Sequence, residues 1–156
     1  MIIRCAESRD IPGMLTLLGQ VGQVHHEIRP DIFCPGAQKY DAAALEILLQ
    51  DEEKPIFVAV EGDFVTGYCF CQLRNYAGST VLTERTELYI DDLCVDENCR
   101  HRGIASALYA HTLDFAKSLG CAFVTLNVWN GSDNAMRFYE NLGMTPRSIT
   151  METKLC

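Results

Sequence analysis

The chain has 156 residues, 48% of them hydrophobic, and a formal net charge of −8 at pH 7. That length and apolar content suit a single domain over residues 1–156, and an acidic chain lacks the basic face of a general nucleic-acid binder. The first residues do not have the architecture of a signal peptide, and no apolar run is long enough to span a bilayer, so we expect a cytoplasmic protein with no membrane partner.

Eight cysteines are many for a chain of this length. Without a secretion signal we expect reduced thiols rather than a disulfide framework. Cys69 and Cys71 form a C-x-C pair, which on a strand places both sulfurs on one face. No second pair stands at metal-ligand spacing, so we expect no metal site and a core role for most of these cysteines.

A strand and two helices are predicted in the first third of the chain. Residues 2–5 are typical of a short strand. The polar stretch 23–31 fits no regular period and is predicted to be a loop, and a second helix is predicted to begin at Asp41. The first helix, capped by Ser8 or Asp10, has apolar residues at helical spacing, namely Ile11, Met14, Leu15, Leu18 and Val21.

The middle of the chain predicts a β-hairpin and a further strand. The β-prone run 56–60 is followed by the tight turn 61–63, so a strand that begins at Phe64 should pair back on it. A polar turn at 75–79 leads to another strand at 88–95, which is rich in β-branched and aromatic residues.

The next segment predicts an anion site at the start of a helix. Arg100-x-x-Gly103-x-Ala105 follows the strand directly, and Gly120 stands where the helix should end. The first amides of a helix have no internal partner, and the helix dipole favours a negative charge there. The apolar face of this helix contains Ile104, Leu108, Phe115 and Leu119.

The last third predicts a strand, a helix and a final strand. Residues 123–129 suit a buried parallel strand, and Gly143 should stop the helix that follows it. Residues 148–155 alternate in polarity and predict the final strand. The element order is an antiparallel meander followed by a βαβ unit. The fold class is therefore α/β (α+β), with one mixed, largely antiparallel twisted sheet and helices on both faces.

Two blocks of this sequence resemble the GNAT superfamily of acetyl-CoA-dependent N-acetyltransferases. Residues 89–95 followed by 100–105 look like the fourth strand and pyrophosphate loop of that superfamily, whose pattern is Arg/Gln-x-x-Gly-x-Gly/Ala. Residues 127–144 look like its fifth strand and following helix, including the run Phe138-Tyr139-Glu140-x-x-Gly143. The resemblance implies a GNAT-like fold, acetyl-CoA as co-substrate and N-acetyltransferase activity.

The resemblance also implies contacts with coenzyme A. The end of the fourth strand should offer backbone groups to the pantetheine arm, the loop should surround the pyrophosphate, and the start of the last helix should flank the arm. Ser132 stands where the family usually has Asn, and its side chain reaches less far. The implied contacts are Leu93, Cys94, Val95, Arg100, His101, Arg102, Gly103, Ile104, Ala105, Ser106, Ser132, Asn134 and Ala135.

Acetyl transfer needs a base for the ammonium proton and benefits from an acid for the leaving thiolate. Asp91 and Asp92 are the candidate bases, and because successive strand residues face opposite sides, only one should see the substrate unless a bulge intervenes. The resemblance favours Asp91 as base and Tyr139 as acid. His26 and Glu27, with Asp92, are the expected substrate contacts.

Two functions stay open at this point. One is an enzyme that acetylates a primary amine on a small molecule, a protein N-terminus or a lysine. The other is a non-catalytic module that senses acetyl-CoA, and a nucleotide-phosphate binder is a weaker third. The acidic charge favours a cationic amine acceptor. A homodimer is a further expectation.

Overall fold

The computed structural model describes residues 1–155 as a mixed sheet flanked by helices. Within those residues, no helix combines the length and the apolar character that crossing a bilayer would need. Short 3-10 turns precede α1 and α3. The elements in chain order are β1 (Ile2–Cys5), α1 (Ile11–Ile28), α2 (Ala42–Leu48), β2 (Ile56–Glu61), β3 (Phe64–Asn75), β4 (Thr86–Val95), α3 (Ile104–Ser118), β5 (Phe123–Leu126) and α4 (Asp133–Asn141).

The five strands lie in the sheet in the order of the sequence. The first three pairings are antiparallel, and β5 pairs in parallel with β4 through the crossover helix α3. The hairpin of β2 and β3 closes at the predicted turn, where Glu61 pairs with Phe64. The predicted meander followed by a βαβ unit is therefore confirmed.

Each face of the sheet is covered by its own helices. On one face, Met14 and Leu18 of α1 and Leu45 of α2 are buried against Tyr68 and Phe70 of β3. The other face packs against α3 and α4, through a buried set that includes Phe57, Cys69, Cys71, Leu88, Ile104 and Leu108. Because neighbouring residues of β3 belong to different cores, the alternation of the strand separates the two layers.

The C-x-C pair lies in the second of these cores. Cys69 and Cys71 are both buried, with their sulfurs 3.6 Å apart, so the prediction that they share one face is confirmed. The hydrogen bond with the thiol of Cys69 raises the pKa of Cys71, and burial raises it further, so Cys71 stays a neutral core residue.

The prediction of a loop at 23–31 is wrong for most of that stretch, because α1 continues to Ile28. Val24 and Ile28 extend the helical spacing that ends at Val21 in the predicted helix, and Pro30 follows the real end of α1. The candidate substrate residues His26 and Glu27 therefore lie on the last turns of a helix.

The predicted final strand at 148–155 is also wrong, since these residues have no regular secondary structure. Ile149 and Met151 are mostly exposed, and Glu152 is held instead by an ion pair with Arg29. The fifth strand is shorter than predicted. It ends at Leu126 rather than at residue 129, and it is only partly buried.

Candidate active site

Strands β4 and β5 separate part-way along their length. Their parallel pairing runs from Glu87 opposite Phe123 to Ile90 opposite Leu126, and beyond Ile90 only β3 pairs with β4. The residues of β4 from Asp91 onwards therefore border an opening in the sheet.

Two residues near the end of β4 direct their backbone N–H and C=O groups into this opening. The amide of Asp96 donates to the carbonyl of Thr66 at 2.9 Å, on the side of β3. Because backbone groups alternate along a strand, those of Cys94 face β3, whereas those of Leu93 and Val95 face the opening. The side chain of Cys94 is buried in the core beside α1.

The start of α3 lies directly after this edge and has the geometry of an anion site. Gly103 occupies the N-cap with a φ of 77°, and His101 has a φ of 62°, both in the left-handed region. The bond from the amide of Ala107 to the carbonyl of Gly103, at 3.0 Å, closes the first turn. The amides of Ile104, Ala105 and Ser106 precede that bond, so no carbonyl of the helix is available to them.

The two arginines of this loop have different surroundings. Arg102 is paired with Glu61 of the β2–β3 turn, with its Nη2 2.9 Å from both carboxylate oxygens. Arg100 lines a shallow cavity of about 430 Å³ between α1 and the loop, together with Gln20, Gln23, Glu27 and Glu97. Of the two arginines, Arg100 is thus the one that borders a cavity.

The start of α4 supplies a second helix N-terminus after the neighbouring strand. Ser132 occupies its N-cap, and the carbonyl of Ser132 accepts from the amide of Met136 at 3.0 Å. The hydroxyl of Ser132 makes no capping hydrogen bond. Asn134 and Ala135 lie in the first turn. Since α3 and α4 follow the adjacent parallel strands β4 and β5, both N-termini open at the same edge of the sheet.

A β-bulge places both candidate carboxylates on one face of β4. Asp92 lies opposite Phe70 and Ile90 lies opposite Cys71, so Asp91 has no partner on β3. Ile90 packs in the core beside α3, whereas both carboxylates make their contacts on the side of α1 and α2. The bulge that would let both residues see the substrate is present.

The two carboxylates have different partners. Tyr68 donates its hydroxyl to Asp92 at 2.7 Å. Burial raises the pKa of Asp92 above its usual range, although the Tyr68 hydrogen bond and the charges of His25 and Lys39 act in the other direction. Asp91 forms an ion pair with the Nζ of Lys39.

Lys39 brings an ammonium group to the acidic pair. Burial lowers the pKa of Lys39, but the hydrogen bond that Lys39 donates to Asp91 and the charges of Asp91 and Asp92 outweigh that effect and raise it. Its Nζ also lies 5.5 Å from the ring centre of Tyr40, within the range of a cation–π contact. This surface can therefore hold a primary ammonium.

Tyr139 lies on the buried face of α4, as its spacing predicts. Its ring packs 5.0 Å from Phe138 and 6.3 Å from Tyr109, and its side chain joins the core beside α3. Burial raises the pKa of Tyr139, with smaller contributions from Cys69 and Asp92. A phenol in this position stays protonated at neutral pH and is available as a proton donor.

Comparison with known proteins agrees with this geometry. Residues 22–144, well over half of the chain, match the family model described as the acetyltransferase (GNAT) family. The chain belongs to the GNAT acetyltransferase family. Its predicted fold class is confirmed as well, since residues 1–155 form five strands in an open, mostly antiparallel sheet and four α-helices.

Individual GNAT relatives differ in how much they share with this chain. N-alpha-acetyltransferase 30 of Schizosaccharomyces pombe is 32% identical over 87 residues, which cover 56% of this chain and 55% of the relative. The chain thus spans about half the length of that curated relative. A variant of the BH1408 protein from Bacillus halodurans superposes with a TM-score of 0.95 at 29% identity, over 100% of both chains.

A more distant solved structure shares the fold alone. Aminoglycoside N-acetyltransferase AAC(6')-Iy, solved in complex with CoA, has a TM-score of 0.71 at 16% identity. The match covers 99% of this chain and 100% of that one.

The side-chain hydrogen bonds of the two substrate candidates of α1 go to residues other than the acidic pair. The Nδ1 of His26 donates to the carbonyl of Phe33 at 2.7 Å, which ties α1 to the loop that follows it. Glu27 accepts from Gln23 and lines the cavity beside Arg100. Of the two adjacent histidines, His25 stacks on the ring of Phe33.

Several residues of this GNAT site have no signal in the sequence. Lys39 is 52 residues from Asp91, and only the fold brings them together. Phe33 stacks on His25 at 4.9 Å and meets Trp129 edge-on at 5.0 Å, so it links α1 to the loop after β5. Such contacts join segments that are far apart in the sequence, so no local pattern predicts them.

Proposed function

We propose that this GNAT protein transfers the acetyl group of acetyl-CoA to a primary amine, and that the acceptor is cationic. The observation that carries the proposal is the opening between β4 and β5. It joins the start of α3 at one end to the carboxylates of Asp91 and Asp92 at the other.

The coenzyme side of the proposal rests on groups that are ready to bind an anion and an extended chain. The amides before Ala107 suit a pyrophosphate, and Arg100, three residues before Gly103, adds a positive charge to the same loop. The free backbone groups of Leu93 and Val95 suit a pantetheine arm, which carries amides of its own. When bound, acetyl-CoA supplies the thioester carbonyl and a thiolate leaving group.

The acceptor side of the proposal rests on charge. Asp91 already holds the ammonium of Lys39, so a second primary ammonium that displaces Lys39 would find the same partner. The charges of Asp91 and Asp92 add to that attraction, in a chain that carries −8 overall. The name of the Schizosaccharomyces pombe relative supports including peptide α-amines among the acceptors to be tested.

The proton steps follow from the surroundings of three residues. Asp91 accepts the proton of the ammonium that it contacts. The charge of Asp91 is one of the contributions that raise the pKa of Asp92 beside it. Tyr139, kept protonated by burial, donates toward the thiolate. A thiol of pKa about 8.5 leaves well without much help, so the donation adds a modest factor.

The experiment is release of free coenzyme A thiol from acetyl-CoA with a panel of amines matched in size and differing in charge. We expect the highest kcat/KM for acceptors with a further positive charge. Preference for neutral or acidic amines would contradict the electrostatic argument. Acetyl-CoA binding without thiol release for any amine would favour the non-catalytic sensor.

A further inference from the structure

We propose that Lys39 is itself an acceptor, and that this chain acetylates its own Lys39 Nζ in cis when acetyl-CoA is bound and no external amine is present. The inference rests on the proposed function, because it uses the same carboxylate and the same thioester. The structure points to it through the placement of one amine at one carboxylate.

Lys39 is held at the site rather than merely near it. It lies in the segment between α1 and α2, and its Nζ is paired with the Oδ2 of Asp91, a carboxylate whose side chain is only 14% exposed. The contact with the Tyr40 ring is a second restraint on the same group.

The position of Asp91 sets where this amine is held. Asp91 directly follows Ile90, the last residue of β4 that pairs with β5. It comes two residues before Leu93, the first residue whose backbone faces the opening. Lys39 Nζ therefore lies at the mouth of the groove assigned to the pantetheine arm, on the side from which an acceptor amine would approach.

The proposed transfer balances without any further reactant. One proton passes from the ammonium of Lys39 to Asp91, and the neutral Nζ attacks the thioester carbonyl carbon. The new N–C bond forms, the C–S bond breaks, and the thiolate takes up a proton from Tyr139 or from water. The product is a neutral amide, which can no longer form an ion pair with Asp91.

The chain contains matched controls for this reaction. The side chain of Lys54 is 47% exposed, as is that of Lys39, and Lys54 also forms an ion pair with an aspartate, Asp51. Lys117 is more exposed, at 74%. Acetylation without catalysis needs an accessible nitrogen in its neutral form. It would therefore modify Lys117 faster than Lys39 and, because the pKa of Lys39 is raised, it would modify Lys39 no faster than Lys54.

The experiment incubates the full chain with acetyl-CoA alone and follows each lysine by peptide mass spectrometry. We expect Lys39 to be acetylated at least about ten times faster than Lys54, a factor below the usual gain from general base catalysis. The rate constant should not change with protein concentration, because the reaction is intramolecular. Gly103→Asp, which places a charge at the anion site, should remove the preference for Lys39.

Two outcomes would overturn the inference. Equal modification of Lys39 and Lys54, unchanged in Gly103→Asp, would mean uncatalysed chemistry. Absence of acetyl-Lys39 from a preparation that acetylates external amines would reject cis transfer and leave the proposed function intact. If that preparation acetylates neither Lys39 nor any amine, while still binding acetyl-CoA, the proposed function fails together with this inference.

Discussion

The hydroxyl of Tyr68, on the central strand β3, donates to the carboxylate of Asp92 on β4 at 2.7 Å. This hydrogen bond fixes Asp92 on the face of the sheet that packs against α1. The β-bulge then turns Asp91 to the same side, so two adjacent residues of one strand share a surface. That departure from strand alternation gives β4 an acidic surface, to which the proposed acceptor would bind.

The Tyr68–Asp92 pair predicts a pH effect on stability. Because burial raises the pKa of Asp92, the folded chain binds its proton more readily than the unfolded chain. The contribution of Asp92 to the free energy of unfolding therefore falls as pH rises from about 4, the pKa of an unfolded aspartate, through its folded value. The side chain of Asn can still accept the hydrogen bond from Tyr68. The stability of Asp92→Asn relative to the parent should therefore increase as pH rises through that range.

Urea unfolding of the parent and of Asp92→Asn across the acidic range measures this difference. Other carboxylates, such as Glu87 with its pKa lowered to about 2, contribute equally to both proteins and cancel. The difference should grow with pH and then become constant. A difference that is flat, or that shrinks as pH rises, would contradict a raised pKa at Asp92.

Replacement of Asp91 tests the assignment of the base. Asp91→Asn should lower kcat/KM for a cationic amine by about 10²-fold or more, since the amide accepts no proton. The loss should be largest at low pH, where free amine is scarce. Asp114→Asn, at an exposed carboxylate of α3 that pairs with Lys117, is the control for a change of one surface charge. If Asp92→Asn loses activity and Asp91→Asn retains it, Asp92 rather than Asp91 is the base.

Tyr139→Phe removes one hydroxyl and leaves the packing against Tyr109 and Phe138. We expect unchanged thermal stability, nearly unchanged acetyl-CoA binding and a kcat lower by roughly 10–100-fold, near the bottom of the range for general acid catalysis. Steady-state kinetics give the factor, with melting as the control. Full activity would make Tyr139 an ordinary core tyrosine.

Local pattern was enough to predict the elements that position the coenzyme side of the site. The helical spacing from Ile104 to Leu119 and the stop at Gly120 predict α3, which ends at Ser118. Asp41 caps α2 as predicted, through a 2.8 Å bond from the amide of Ala44. In each case the residues that predict the helix or its ends lie within that helix or next to it.

The acceptor side could not be predicted in the same way. The bulge at Asp91 depends on how β3 pairs with β4, and the ion pair of Lys39 joins residues 52 positions apart. Residues 148–155 alternate like a strand, but alternation alone forms no strand where no neighbouring strand pairs with it within residues 1–155. The last turns of α1 are a different case, because Val24 and Ile28 carried a helical signal.

Binding of acetyl-CoA to Gly103→Asp and to a matched control tests the central claim most directly. Gly103 and Gly78 have φ values of 77° and 75°, and a Cβ at either position would meet no atom within 4 Å. Aspartate tolerates this backbone region better than most residues, so both variants should fold with a similar cost. Only Gly103→Asp places a carboxylate among the first amides of α3.

Thermal and urea unfolding should be recorded with and without acetyl-CoA for the parent and for both variants. At about 100 times the dissociation constant, acetyl-CoA should stabilise the parent and Gly78→Asp by about 2.7 kcal/mol. Gly103→Asp should lose that stabilisation, while without ligand it should be no less stable than Gly78→Asp, because a carboxylate at the start of a helix is favourable. Equal stabilisation of both variants by acetyl-CoA would contradict the placement of the coenzyme at the start of α3.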